Sequence, residues 1–245
     1  MISVCIPTFN GGNYIKEQID SILSQLSFAD EIIISDDQST DNTIEIINSY
    51  NDDRIKIFPH IKKQVGESQF KFDLTTRNME NAINQAVGDY IFMADQDDVW
   101  EVGRITTVLS LLKKYTLVVT DCKVVNDNLE VIHESYYYLV NSKVGMIKNF
   151  SKNSYLGCCM AFKKEILKFA LPFPLEPVPH DIWIGLIAEI YGRVYFLNEK
   201  TILYRRHQNN LSDSAEISTN SLNFKVRYRI LLLKALIKRA LESHK

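Results

Sequence analysis

Short apolar runs alternate with helix-period stretches along the first hundred residues. Ile2-Ser3-Val4-Cys5-Ile6, Glu31-Ile32-Ile33-Ile34-Ser35 and Tyr90-Ile91-Phe92-Met93-Ala94 read as strands buried on both faces, because little polar alternation interrupts them. Between the first two, Ile15, Ile19, Ile22, Leu23 and Leu26 share one helical face. A second helix is predicted from Thr43 to Tyr50, with Ile44 and Ile47 inward and Asp41 as its cap. Arg54 to Phe58 alternates as a shorter strand, Pro59 to Asp73 is an aperiodic polar loop with room to move, and Leu74 to Val87 is a helix ended by Gly88.

The second half is less regular. A helix is expected from Glu101 to Lys114 with Ile105, Val108, Leu109 and Leu112 buried, then a strand over Leu117 to Thr120. Lys123 to Ser154 carries only weak signals, a short helix or an acceptor-side flap near Tyr136-Tyr137-Tyr138 and Val144 to Ile147. A small-residue strand follows at Gly157 to Phe162, then a brief helix from Lys163 to Phe169. Pro172, Pro174, Pro177 and Pro179 form a rigid approach that delivers His180-Asp181 to the start of a helix reaching Tyr191, and a strand is expected over Arg193 to Leu197. Leu203 to Ser212 is densely polar, with few groups that need a core. The final helix, Leu222 to Leu241, aligns Val226, Ile230, Leu233, Ile237 and Leu241, interspersed with Lys225, Arg227, Arg229, Lys234, Lys238 and Arg239. That pattern suits either packing on the core with solvated lysines or contact with an anionic membrane surface.

Strands alternating with helices predict an α/β fold with a mostly parallel central sheet, which binds ligands beyond the carboxyl ends of its strands. Two acidic clusters, Asp36-Asp37 and Asp95-Gln96-Asp97-Asp98, then converge on one cleft. With 245 residues and 46% hydrophobic content, one domain over residues 1–221 accounts for the chain, with 222–245 as an appended helix. The formal charge of -2 gives no reason to expect nucleic-acid binding. Cys5, Cys122, Cys158 and Cys159 lack zinc spacing and follow no secretory leader, so they are expected to be buried thiols of a cytoplasmic protein. No apolar run approaches the roughly 20 residues of a transmembrane helix.

Three carboxylates within four positions, at Asp95, Asp97 and Asp98, repel one another unless a cation or strong donors intervene. Mg2+ or Mn2+ meets that need and leaves coordination positions for substrate phosphates. An acidic surface loop capping a helix is the plain alternative. For a nucleotide diphosphate, Pro7, Thr8, Phe9 and Asp37 offer a base pocket, Asp95 a ribose contact and Asp97 the bridge through an ion, with Asp98 a cap or a supporting neighbour. There is neither a P-loop nor a G-x-G-x-x-G run, which disfavours kinases and dehydrogenases. Asp181 is the best base candidate, a simple N-cap being its alternative. His207, beside Arg205 and Arg206, suits phosphate, metal or a solvated basic loop equally.

Six motifs occur in a telling order: Val4 to Asn10, Ile34 to Thr43, Arg77-Asn78, Gly88 to Trp100, His180-Asp181 and Tyr204 to Asn210. Together they resemble bacterial family 2 glycosyltransferases, inverting enzymes of GT-A fold, and in particular rhamnosyltransferase-like and O-antigen or capsule sugar transferases. The resemblance implies transfer of a hexose or deoxyhexose from a UDP- or dTDP-sugar to a saccharide hydroxyl, with a lipid-linked acceptor in surface polysaccharide synthesis. It places Asp37 at the base, with Asp36 and Pro7 to Phe9 framing the pocket. Arg77, Asp95 and Gln96 join them on the nucleotide-sugar side, and Asp97 and His207 are the metal ligands. Asp181 is the base that activates the acceptor, where His180 replaces the family's usual Glu. Asp98, Trp100, Tyr155, His180 and Arg205 fall on the acceptor side or in the layer supporting these groups. A cytoplasmic enzyme, peripheral at the inner face of the cytoplasmic membrane through its last helix, is the expectation that follows. A nucleotidyltransferase acting on sugar phosphates and a non-catalytic nucleotide-sugar binding module are the alternatives.

Overall fold

The computed structural model describes residues 1–61, 72–207, 210 and 222–242. The expected room for movement in the loop after Pro59 falls mainly on residues outside this set, as do parts of the polar stretch after His207. In chain order the elements are β1 (Ile2–Thr8), α1 (Ile15–Leu23), β2 (Glu31–Asp36), α2 (Thr43–Asn48), β3 (Ile55–Pro59), α3 (Phe72–Gln85), β4 (Tyr90–Met93), β5 (Val99–Trp100) and α4 (Arg104–Leu112). There follow β6 (Leu117–Val125), β7 (Val131–His133), α5 (Tyr136–Val140), α6 (Met146–Ser151), β8 (Met160–Lys163), α7 (Leu167–Ala170), α8 (His180–Tyr191), β9 (Val194–Arg205) and α9 (Leu222–Glu242).

The strands form one sheet in the order β3-β2-β1-β4-β8-β6-β9-β5, with β7 on β6. β1, β2, β3 and β4 are mutually parallel, and Ile33, Ile34, Phe92 and Met93 are wholly buried, as unbroken apolar runs require. The expectation of a mostly parallel sheet is corrected beyond β4. Here β8 runs antiparallel to both β4 and β6, β5 antiparallel to β9 and β7 antiparallel to β6, with only the β6–β9 pair parallel. The reason lies in the connection. No crossover helix returns the chain to the amino edge between β6 and β8, so the chain re-enters the sheet where it left and must run back.

Two further expectations change. Leu203 to Arg205 belongs to β9, and Tyr204 and Arg205 are buried rather than solvated. In α9, the aligned residues Val226, Ile230, Leu233, Ile237 and Leu241 face outward, while Leu232, Ala235 and Leu236 form the buried face. The helix is apolar on two sides, so periodicity alone could not choose between them. All four cysteines are free and buried. No helix among the described residues is long and apolar enough to cross a membrane.

The register aligns the site. Thr8 pairs with Asp36 and Cys5 with Met93, so the turns after β1, β2 and β4 emerge side by side at one edge. At the opposite edge Glu31 accepts from Ser3, Lys56 and the Val87 amide, fastening three strands and the end of α3. A groove of about 520 Å³ at that amino edge, lined in part by Phe28, Asp52 and Arg54, lies away from the clustered carboxylates.

Candidate active site

The turn after β1 is braced by the motif after β4. The Gln96 amide accepts from the Thr8 hydroxyl (2.6 Å) and the Phe9 amide (2.9 Å), and donates to the Phe9 carbonyl (3.2 Å). Gln96 thus holds the Pro7-Thr8-Phe9 turn in shape with the atoms that nucleotide binding would have used. Phe9 keeps its ring 44% exposed at the mouth. Asp36 turns back on Ser39, accepting from its hydroxyl (2.5 Å) and amide (3.0 Å), and the Asp37 carboxylate lies 3.1 Å from His60 Nδ1. Asp41 accepts from Thr43 and from the Gly12 amide (3.0 Å), tying the first two loops together while it supports the start of α2.

Arg77 is spent elsewhere. Its guanidinium pairs with Asp73 and Glu80 and donates to the Pro174 carbonyl (2.5 Å), which anchors the proline segment leading to α8. A nucleotide contact would require it to leave these partners. The neighbouring Asn78 donates to the Thr8 carbonyl (3.2 Å), and its buried Oδ1 has no hydrogen-bond partner.

The carboxylates after β4 divide by environment. Asp97 Oδ2 lies 2.9 Å from His207 Nε2 and accepts from Asn210 Nδ2 at 3.0 Å. The His207 ring stacks on Tyr14 with centroids 4.6 Å apart. Arg205 builds the floor: its amide donates to Asp98 Oδ1 (3.0 Å), and its guanidinium donates to the Asp97 carbonyl (2.8 Å), the Asp127 carbonyl (2.6 Å) and Glu17. Asp98 is fully buried, and its Oδ2 has no hydrogen-bond partner among the described residues. Asp95, Asp98 and Cys158 bring one potential ligand atom each within 4.8 Å of one another. Burial, then the charge of Asp97, pushes Asp95 up to about 7, and burial followed by Asp97 and Asp95 raises Asp98 well above the carboxylate range. The orphaned Asp98 oxygen beside Asp95 suits a divalent cation, whereas Asp97 and His207 engage one another and would have to turn from that contact to bind one.

On the other wall, Asp181 stands in the first turn of α8. Its Oδ1 accepts from the Ile182 amide (2.6 Å) and its Oδ2 from Asn153 Nδ2 (3.3 Å). Burial raises it to about 6 against these stabilising bonds. Its carboxylate also contributes to the raised pKa of Asp95, so the two walls face one another electrostatically. His180 is buried, with Nδ1 3.4 Å from the Thr76 hydroxyl, and burial lowers it to about 4, which keeps the ring neutral near pH 7. A side chain at Gly157 would come within 3.0 Å of His180 Nε2. Tyr155 is buried, donates to Glu189 (2.7 Å) and lies flat on Gly185, where a Cβ would meet its ring at 2.5 Å. Trp100 is 3% exposed, beside Phe92 and beneath the Arg104 guanidinium. It supports the site from below and has no face toward an acceptor.

Several contributors escaped the sequence reading. Asn153 and Thr76 are remote from Asp181 and His180 along the chain and carry no local signal. Tyr14, Asp127 and Asn210 surround His207 and Arg205 only through tertiary contact, although Asn210 lay within a recognised motif. Gln18, whose amide donates to the Asp95 carbonyl (2.7 Å), was detectable as a polar residue on the apolar face of α1.

Comparison with known proteins agrees with this architecture. The chain is 29% identical to the dTDP-rhamnosyl transferase RfbG of Shigella flexneri, covering 91% of this chain and 77% of the relative. It is 24% identical to the UDP-Glc:alpha-D-GlcNAc-diphosphoundecaprenol beta-1,3-glucosyltransferase WfgD of Escherichia coli, over 77% and 70% of the two chains. The crystal structure of S. aureus TarS in complex with UDP-GlcNAc superposes with a TM-score of 0.69 at 20% identity, over 96% of this chain and 67% of that one. The chain spans 60% of another crystal structure of the same TarS fragment. The model of the family described as "Glycosyl transferase family 2" matches residues 3–170, and the chain belongs to that family of inverting sugar transferases acting from nucleotide-sugar donors.

Proposed function

We propose that the protein transfers a hexose or deoxyhexose from a UDP- or dTDP-sugar to a hydroxyl of a lipid-linked saccharide in surface polysaccharide synthesis. The observation that carries this reading is that Asp97, held by His207 and Asn210, and Asp181, raised by burial to about 6, both act by their charge on the buried Asp95 between the two walls. In this reading the Thr8–Phe9 turn, Asp36 and Asp37 frame the base, and Asp95 takes the ribose. Asp97 and His207 would hold Mg2+ or Mn2+, which when bound supplies positive charge beside the departing diphosphate. Asp181 takes the proton of the acceptor hydroxyl; the oxygen bonds to the anomeric carbon, and the bond to the diphosphate breaks with its electron pair leaving on oxygen. Attack opposite the leaving group inverts the centre.

The donor assignment draws support from the dTDP-rhamnosyl transferase relative, and the lipid-linked acceptor from the relative acting on a diphosphoundecaprenol-linked sugar. Residues 1–221 act as the catalytic domain, and residues 222–245, which begin with α9, serve as a peripheral element at the inner face of the cytoplasmic membrane. A metal-supplemented screen of nucleotide sugars, scoring nucleoside diphosphate release and glycosidic product with and without pooled lipid-linked acceptors, tests this reading. Acceptor-dependent release of UDP or dTDP is expected. Pyrophosphate release from a nucleoside triphosphate would support a nucleotidyltransferase instead, and donor binding without turnover a silent module.

A further inference from the structure

The outer face of α9 is an aliphatic stripe with no covering among the described residues. Val226, Ile230, Leu233, Ile237 and Leu241 are 47–66% exposed and recur every three or four positions along a single side. The orientation of the helix is not a matter of chance. Arg239 donates to the Phe169, Leu171 and Pro172 carbonyls and lies over the Trp183 ring, while Arg229 donates to the Ser151 carbonyl. With Leu232, Ala235 and Leu236 buried beneath, the stripe is held outward.

The Arg229 contact joins α9 to the last residue of α6, a short helix that begins with Met146 and Ile147, 42% and 88% exposed, and carries Lys143, Lys148 and Lys152 in and around it. Residues 141–152 contain these three lysines and no acid; residues 222–242 contain six Lys and Arg against Glu242 alone. The rest of the chain carries 19 Lys and Arg against 29 Asp and Glu, and although Arg229 and Arg239 turn inward, Lys234 and Lys238 are exposed beside the stripe, so positive charge accompanies the exposed apolar side chains. Nucleic acid has no use for a five-residue aliphatic stripe, and a second copy would bring like charges together. Apolar side chains flanked by lysines match the interfacial region of an anionic bilayer.

We propose that α6 and α9 together form a two-element docking surface for an anionic phospholipid membrane, which sets the acceptor side of the site against the bilayer. The position of the surface gives this its functional meaning, which rests on Asp181 being the base. Asn153, the donor to Asp181, lies just beyond the end of α6, and Tyr228 on the inner side of α9 has its pKa raised by burial and then by the charge of Asp181. A sugar on a lipid carrier would therefore reach the carboxylate while its carrier stayed in the membrane.

Flotation of the full chain with vesicles of phosphatidylglycerol and phosphatidylethanolamine, against phosphatidylcholine alone, tests the proposal. Binding to the anionic vesicles only is expected, with a loss of at least about tenfold in I230E/I237E, a similar loss in K234E/K238E and a smaller one in I147E. These exposed positions leave the core intact, so release of nucleoside diphosphate from donor and water in I230E/I237E should match the parent. Failure of all transfer alongside normal flotation would overturn the catalytic reading and leave the surface standing. Equal flotation of parent and I230E/I237E overturns the surface. So does a parent that ignores vesicles and sediments as a dimer which I230E/I237E dissociates, since a second copy then covers the stripe.

Discussion

The two walls of the cleft differ in how their carboxylates are held. On the wall proposed to take the donor, Asp36 and Asp37 lie at the end of β2 and Asp97 and Asp98 after β4, the strands on either side of β1, and side chains or amides close by engage all four: Ser39, His60, His207 with Asn210, and the Arg205 amide. On the wall proposed to face the acceptor, Asp181 has one side-chain donor among the described residues, Asn153 at 3.3 Å, together with backbone amides at the start of its own helix. A group that must only hold its ligand gains from many partners, because each fixes its position. A group that must accept a proton gains from few, because every bond to the charged form lowers its pKa and weakens it as a base. Burial raises Asp95 and Asp98 as well as Asp181, so the walls differ less in basicity than in what their carboxylates meet: Asp97 is fixed by His207 and Asn210, Asp181 by Asn153 and the start of α8.

Replacing Asp181 with Asn gives the sharpest break. Loss of the base should lower transfer by about 10²- to 10⁴-fold while leaving donor affinity unchanged, as single-turnover rates and calorimetry with donor would report. Normal transfer in D181N would remove the contrast altogether. On the opposite wall, Asn210→Ala removes a bond that orients Asp97. A loss of roughly 10- to 100-fold in metal-dependent donor binding is expected, with the acid limb of the pH profile unmoved.

Both walls titrate in one range, since burial raises Asp95 to about 7 as well, so the pH profile of transfer is set beside that of donor binding. Since Asp181 must be ionised to act, transfer should fall about tenfold per pH unit below its value of about 6. Stability runs the other way. A carboxyl whose folded pKa is raised from 3.8 to about 6 contributes fully when protonated, and that contribution is lost as pH rises through about 6. His180, lowered from 6.5 to about 4, contributes the opposite sense over nearly the same window, so Asp181 is read by difference: D181N should gain stability relative to the parent as pH rises through about 6, and a difference that stays constant with pH would detach the limb from Asp181. The smallest effect is expected from Gly185→Ala. The added Cβ meets the Tyr155 ring at 2.5 Å, so thermal unfolding should show a loss of about 1–3 kcal/mol with little change in donor affinity.

The donor wall was largely legible in advance. Its carboxylates follow apolar runs directly, and a strand that ends in Asp-Asp or Asp-Gln-Asp-Asp announces both its sheet edge and its charge. Arg77 and Gln96 show the limit of such reading: their place in a motif was evident, yet their polar atoms go to Pro174, Glu80, Thr8 and Phe9. The acceptor wall was legible only at Asp181, marked by the prolines before it. Asn153, Thr76 and the inward turn of Tyr155 depend on how α3, α6 and α8 pack, and nothing local encodes that.

By itself the chain determined the parallel half of the sheet, the identity of the cleft's carboxylates and the amphipathic nature of the last helix, because strand burial, turn chemistry and periodicity act over a few residues. Tertiary structure alone decided the antiparallel return of β8, the stacking of His207 on Tyr14 and which face of α9 turns outward. Each of these is a choice between alternatives of equal local merit, settled by contacts between residues distant along the chain.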